Sequence, residues 1–277
     1  MVLEILEFGF MQRALIAGVA VAITTSVIGL FLVLRRNSLF GDALSHVAFG
    51  GIAVGLMANI YPLWTGLALS ILGALGITKL RQSAKIPADA TVAILLSSGL
   101  ALGILIVSAS GGFTLDLFSF LFGSILLVSV VDTIAILAMA GAVLAIVILL
   151  YKKLVYITFD EEQARVSGLQ ISALNYLFVV LASVTAVVSM RLVGILLVSA
   201  LIVIPNVTAL LFGRGFKKTA LISVGISIFS VVTGIAVSYA FNLAPAGTIV
   251  LVSTGTFIVA LAARYSSKKQ LEEEAKA

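Results

Sequence analysis

The sequence predicts an all-α polytopic membrane protein, and three observations support this fold class. Hydrophobic residues make up 61% of the 277-residue chain and charged residues only 10%, whereas a water-soluble domain carries roughly 25% charged residues. The apolar residues occur in long runs, without the alternation of a membrane β-barrel. The basic residues lie in short clusters between these runs. This is the composition of a helical bundle surrounded by lipid.

Nine apolar runs are long enough to cross about 30 Å of hydrocarbon as α-helices. Their predicted bounds are 14–34, 43–61, 63–80, 90–108, 133–151, 171–189, 192–212, 220–241 and 246–263. A tenth run, 117–130, is shorter, so we predict a re-entrant or interfacial helix there. Because the loops are short, residues 1–277 are expected to form a single transmembrane domain that ends in a charged tail at 265–277.

The distribution of basic residues predicts the orientation in the membrane. All but Arg13 and Arg191 of the 17 basic residues fall on alternate connections. The positive-inside rule then places the N-terminus outside and the C-terminus in the cytoplasm, in a multi-pass protein of the cytoplasmic (inner) membrane. A net charge of +5 could suggest a nucleic-acid partner, but the spacing of the clusters fits membrane lipid instead, so no nucleic acid is expected.

Several kinds of catalytic site are missing from the sequence. The chain has no Cys and one His, which excludes thiolate chemistry and the two-histidine zinc site of H-E-x-x-H proteases. No G-x-S-x-G motif occurs. Residues 213–219 approach a nucleotide-binding loop but lack the Gly that precedes its Lys. The chain is therefore not expected to be an enzyme by itself, and any ATP would be bound by another chain.

Two ionisable residues, Asp42 and His46, are predicted to lie inside a span, where each costs at least about 2.5 kcal/mol. They are four residues apart, so on a helix the carboxylate and imidazole share one face. Oxygen and imidazole nitrogen together suit zinc, manganese and iron(II). The alternative is that Asp42 caps the helix N-terminus while His46 satisfies a buried polar contact. Two ligands also do not complete a metal site.

Two further polar residues are tentative metal ligands. Asp116 precedes the short apolar run and could face the outer mouth, although an N-cap after two glycines would explain it equally well. Asn206 follows Pro205 within the seventh run, where the proline frees a backbone carbonyl. The alternative for Asn206 is a packed kink in the helix.

Small residues recur at helical spacing in two segments. Gly51 and Gly55 form one such pair, and Gly99 and Gly103 form the other. In lipid, this spacing allows two helices to approach closely. It predicts compact helix packing and does not identify a substrate.

A cytoplasmic segment at 158–168 is predicted to form a short surface helix. Thr158 and Glu161 fit a capping box, acidic residues fill the first turn, and Gly168 can end the helix in left-handed geometry. Such a helix is a natural docking element for a cytoplasmic partner, and a solvated helix without a partner is the alternative.

Four segments of the chain resemble the membrane subunits of ABC-type metal-ion importers, the zinc, manganese and iron permeases. Residues 35–46 read R-R-N-S-L-F-G-D-A-L-S-H, similar to the family's R-x-x-S-L-x-G-D-A-x-S-H. The other three segments, in family order, are 116–123, 158–168 and 193–205. The resemblance covers nearly the whole chain. The chain departs from it at Gly50–Gly51, where relatives often have Pro, at Ser124, and at Asn206.

The resemblance implies a type II importer bundle that works as a homodimer with a central path. It also implies two cytoplasmic ATP-binding subunits, an extracytoplasmic metal-binding protein, and a transported divalent ion in place of a permanent cofactor. Asp42 and His46 would coordinate or gate that ion. The residues expected to dock in the ATPase are Phe159, Asp160, Glu161, Glu162, Ala164 and Gly168.

Two other functions remain open at this point. An ion- or proton-coupled secondary metal transporter would act without an ATPase partner. A membrane scaffold that transports nothing would leave the polar residues of the spans dispensable.

Overall fold

The computed structural model of the protein describes residues 8–84, 86–109, 112, 115–124 and 128–274, with the backbone alone at 115, 116 and 267–274. Every regular element in this described part is helical. In chain order the elements are α1 Gly9–Leu34, α2 Phe40–Met57, α3 Pro62–Ala84, α4 Ala88–Ala109, α5 Leu115–Phe122, α6 Val130–Leu149, α7 Tyr151–Phe159, α8 Glu161–Val166, α9 Ile171–Val193, a 3-10 turn Ile195–Leu197, α10 Val198–Leu210, α11 Phe216–Phe241 and α12 Pro245–Glu274.

Eight helices of the described part are long and apolar enough to cross a membrane, judged by length and composition. They are α1 to α4, α6, α9, α11 and α12, and they match eight of the nine predicted runs. The seventh run, 192–212, differs because Gly194 has a φ of +74° and a 3-10 turn follows it. This break leaves a shorter apolar helix over Ile195–Leu210. The charged tail continues α12 to Glu274, and residues 275–277 lie outside the described part.

The tenth run also contains a break. Its first part forms α5, which has eight residues and a length of about 12 Å, too short for a crossing. The end of α5 contacts the break after α9, where Gly123 and Gly194 both have positive φ. A side chain on Gly194 would collide with the backbone of residues 121–123. These two glycines therefore allow two irregular segments to pack backbone to backbone.

The glycine pairs produce the expected close helix contacts around α2. A Cβ at Gly51 would overlap the backbone of α3 at Thr65 and Gly66, and a Cβ at Gly99 of α4 would overlap the backbone of Val47. Gly103 lies equally close to the Phe49 ring. The prediction of compact packing at both pairs is confirmed. α2 also runs through Gly50 and Gly51 as one continuous helix, without the kink that a Pro would introduce there.

Candidate functional site

Asp42 and His46 occupy an unusual position on α2. Between Phe40 and Ala53, these two residues are the only ones on the helix that are not buried. The other faces of α2 pack mainly against α3 and α4. We call Asp42 and His46 the polar stripe. Because the rest of this stretch is buried, the two ionisable side chains are the part of it that a ligand or a second chain can reach.

The local structure argues against the simple capping role for Asp42. The N-cap of α2 is Leu39, whose side chain makes no capping hydrogen bond, and Asp42 is the third residue of the helix. The carboxylate there benefits from the positive end of the helix dipole. Ser199 of α10 and His46 both interact with the Asp42 carboxylate.

One ring nitrogen of His46, Nδ1, lacks the buried polar contact that the alternative interpretation requires. Within the described residues, its Nδ1 atom is shielded from solvent and has no hydrogen-bond partner. A buried imidazole nitrogen without a partner is costly unless a ligand or another chain satisfies it. The described part of one chain offers no group of three or more His, Asp or Glu residues that could hold a metal. Within the described residues, Asp42 and His46 alone therefore do not complete a metal site.

The structure does not bring Asn206 to the polar stripe. Its side chain is fully buried, donates to the Ile202 carbonyl at 2.7 Å and accepts from the Ser223 hydroxyl at 2.7 Å. The Ser223 hydroxyl in turn lies 2.9 Å from that of Ser26. Asn206 is seven residues beyond Ser199 on the same helix, which places it roughly 10 Å further along the axis. Asn206 thus joins α1, α10 and α11 through a polar network.

Asp116 lies in the first turn of α5, and its side chain is outside the described residues. Ser124 follows α5 in non-helical conformation, and its backbone N–H approaches the Arg191 carbonyl at 3.5 Å.

The predicted surface helix at 158–168 is present but begins later than expected. α7 ends at Phe159 and α8 starts at Glu161, with Asp160 as the N-cap that accepts a hydrogen bond from the Gln163 N–H. The expected capping box of Thr158 and Glu161 is therefore wrong, because the Thr158 hydroxyl donates instead to the Leu154 carbonyl. Gly168 ends the helix with a φ of +79°, as predicted.

One side of α8 is anchored and the other is open. Ala164 is fully buried and packs in a small cluster with Ile157 and Ile171. On the other side, Val166 of α8 is 90% exposed and both acidic residues of its first turn face solvent. Phe159, the last residue of α7, is 65% exposed beside them. An anchored helix with exposed apolar and acidic side chains is suited to docking a partner protein.

Arg35 was not singled out in the sequence as a functional residue, because its charge fits a cytoplasmic cluster. It lies over the Phe178 ring, 4.5 Å from its centre, and lines a cavity of about 470 Å³ between the α1–α2 turn, α3, α4 and the α7–α9 region. Arg36, Arg81 and Glu161 line the same cavity. Burial lowers the pKa of Arg35 to about 10, with Glu161 acting in the opposite direction, so the guanidinium stays charged at neutral pH.

A second cluster lies at the opposite end of α9. Arg191 makes a buried ion pair with Asp132 at 2.9 Å, and its guanidinium lies 4.7 Å from the centre of the Phe120 ring. The Tyr61 hydroxyl also donates to Asp132. The sequence carries one signal for this cluster, since Arg191 is one of the two basic residues predicted to lie on the side opposite the basic clusters. No pattern in the sequence assigns a role to Asp132.

The comparisons with known proteins agree with this architecture. The chain is 34% identical over 256 residues to the manganese transport system membrane protein MntC of Listeria innocua, covering 92% of this chain and 91% of that one. It is 32% identical to the manganese import system permease protein ScaB of Streptococcus gordonii over 253 residues, 91% of each chain.

A solved structure shows the same fold. A chain of PsaBC from Streptococcus pneumoniae in complex with Fab superposes with a TM-score of 0.84 at 31% identity, covering 94% of this chain and 95% of that chain. The model of the ABC 3 transport family matches residues 7–264. Nearly the full length of the chain, including the polar stripe and α8, falls within this match, and the protein belongs to the ABC 3 transport family.

Proposed function

We propose that this chain is the transmembrane subunit of an ATP-driven importer that carries a divalent metal ion, with Mn²⁺ as the preferred cargo. The observation that carries the proposal is the polar stripe: between Phe40 and Ala53, Asp42 and His46 are the only residues of α2 that are not buried, and the His46 Nδ1 atom has no hydrogen-bond partner within the described residues. Two relatives with more than 30% identity are named for manganese, which favours this ion over zinc and iron.

The polar stripe also supports a homodimer. The polar stripe of one chain supplies two ligands, and the described residues offer no group of three or more. A transition metal held by protein takes about four or more ligands. Two copies that face each other along α2 would supply two carboxylates and two imidazoles. Such a set binds the ion without sulfur, which suits Mn²⁺ and allows release. The ion would enter from the extracytoplasmic side, where a metal-binding protein delivers it, with the N-terminus outside and the C-terminus inside.

Energy for the step would come from cytoplasmic ATP-binding subunits that dock on α8. The exposed Phe159 and Val166 offer apolar contact, and Glu161 and Glu162 offer negative charge. ATP would be bound by the partner and not by this chain. The exposed residues of α8 support this arrangement over a secondary carrier, because such a carrier has no ATP-binding subunit to dock.

The test of the metal site is uptake of radioactive Mn²⁺ into vesicles that contain the purified complex and internal ATP. We expect Asp42→Asn and His46→Ala each to reduce uptake by at least tenfold while the complex still assembles. Asp89→Asn, at an exposed acid in the first turn of α4, is the matched control and should leave uptake unchanged. Near-normal uptake in both site variants would refute the proposal. Competition by Zn²⁺ and Fe²⁺ in the same assay establishes the preferred ion.

Asn206→Leu separates a ligand from a structural residue in the same assay. Because its oxygen accepts from Ser223, we expect less folded protein but normal uptake per folded complex.

The test of docking on α8 is co-purification of the ATP-binding subunit. Glu162→Lys should weaken co-purification, while Gln163→Lys at the next exposed position should weaken it less. Recovery of equal amounts of the subunit in all cases would argue against docking through these acids.

A further inference from the structure

The Arg35 guanidinium joins the helix before α8 to the helix after it. Its Nε donates to the Thr158 hydroxyl at 3.0 Å, and its Nη1 donates to the Asn175 side-chain oxygen at 3.0 Å. Thr158 lies on α7, just before α8, and Asn175 lies on α9, just after it. We call residues 158–175 the coupling loop. Arg35 therefore bonds to both of its ends at once.

The same residue is rigidly connected to the helix of the polar stripe. Arg35 is the C-cap of α1, and the next residue, Arg36, has a φ of +57°. The N–H of Asn37 donates to the Leu32 carbonyl and that of Arg36 to the Val33 carbonyl, which together close a Schellman turn. Such a doubly bonded turn has little freedom to absorb a displacement.

The turn leads directly into α2. The N–H of Phe40, the first residue of α2, donates to the Asn37 carbonyl at 3.0 Å. Asp42 follows two residues later. The covalent and hydrogen-bonded path from the Arg35 side chain to the Asp42 carboxylate is thus short and contains no flexible linker.

We infer that Arg35 is the positioning residue through which the coupling loop moves the polar stripe, an inference that rests on the proposed function. A displacement of α8 by the ATP-binding subunits moves Thr158 and Asn175, and the planar guanidinium transmits that displacement to the α1–α2 turn. Arg35 does not touch the cargo. Its role is to convert loop movement into movement of Asp42 and His46.

The fork geometry of arginine is essential to this role. Two donors of one rigid plane reach two acceptors on different helices while the face of that plane rests on Phe178. Lysine carries the same charge as a single point on a flexible stem and cannot hold both acceptors in fixed directions. The substitution Arg35→Lys therefore keeps the charge and removes the mechanical link.

The test measures Mn²⁺ uptake and ATP hydrolysis in the same vesicles, with the full complex. For Arg35→Lys we expect ATP hydrolysis within about twofold of the unsubstituted complex and at least a tenfold fall in Mn²⁺ imported per ATP. Arg36→Lys makes the same change one residue later, at an exposed side chain, and should alter neither quantity. Thr158→Val with Asn175→Leu removes both acceptors and should reproduce the uncoupling.

The alternative outcomes are distinct. Normal import per ATP in Arg35→Lys overturns the inference. An equal loss of import and hydrolysis in both Arg35→Lys and the double variant also overturns it, because that pattern indicates a purely structural residue. An unsubstituted complex that hydrolyses ATP without importing Mn²⁺, Zn²⁺ or Fe²⁺ would instead refute the proposed function.

Discussion

The buried ion pair between Asp132 and Arg191 is expected to produce a large loss of stability when one partner is removed. The Asp132 side chain is 3% exposed and that of Arg191 14% exposed. Besides Arg191, the carboxylate accepts hydrogen bonds from the Tyr61 hydroxyl and from the backbone N–H and hydroxyl of Ser129. Asp132→Ala therefore removes the Arg191–Asp132 ion pair and the carboxylate that accepts the other three hydrogen bonds.

The magnitude follows from two contributions. Breaking a buried ion pair by removal of one partner costs about 3–5 kcal/mol. Asp132 and Ser129 also form the capping box of α6, and the loss of such a cap costs about 1 kcal/mol. The Phe120 ring beside Arg191 is retained, but a cation–π contact contributes only about 1 kcal/mol. A net loss of about 4–6 kcal/mol corresponds to a fall in Tm of about 8–24 °C.

The assay is thermal unfolding of the purified chain in detergent, followed by the loss of monodisperse protein. Asp132→Ala combined with Arg191→Met removes both charges, and we expect it to recover more than half of the lost Tm. Asp89→Ala, at an exposed acid in the first turn of α4, should cost less than about 1 kcal/mol. A fall of under about 3 °C for Asp132→Ala, or no recovery in the double variant, would refute the reasoning.

Two further predictions concern pH and backbone geometry. Mn²⁺ uptake should fall as the outside is acidified, because His46 and Asp42 bind metal only when deprotonated. A flat pH profile with normal ATP hydrolysis would count against the polar stripe. Gly194→Ala should lower stability by about 3 kcal/mol, since a φ of +74° is unfavourable for Ala and its Cβ would collide with Leu121. Gly225→Ala, on α11 with no atom near the added Cβ, should instead be neutral or stabilising in the same unfolding assay.

Much of the fold follows from the sequence because hydropathy reports directly on helices in lipid. Eight of the predicted runs correspond to helices long and apolar enough to span a membrane. The break at Gly194 was missed because the residues around it are uniformly apolar, and hydropathy carries no information about a positive φ. The later start of α8 reflects a competition between Thr158 and Asp160, since both can cap a helix. Thr158 lies within α7 and donates to the Leu154 carbonyl one turn earlier, which leaves Asp160 as the cap of α8.

The candidate site was only partly predictable for a similar reason. The four-residue spacing of Asp42 and His46 placed them on one face, and that prediction needs only helical geometry. Whether the face is open or covered depends on how α3 and α4 pack, which the spacing does not contain. The contact of Arg35 with Asn175 spans 140 residues, and that of Asp132 with Arg191 spans 59. No local pattern predicts either pair.

The glycine contacts around α2 have a mechanical consequence. Because α2 meets α3 at Gly51 and α4 at Gly99 and Gly103 with almost no side chain between the backbones, sliding one helix past another would force main-chain atoms into each other. We therefore expect these three helices to move as one rigid unit during the transport cycle. The spacing of the proposed metal ligands would then stay constant while the opening around them changes.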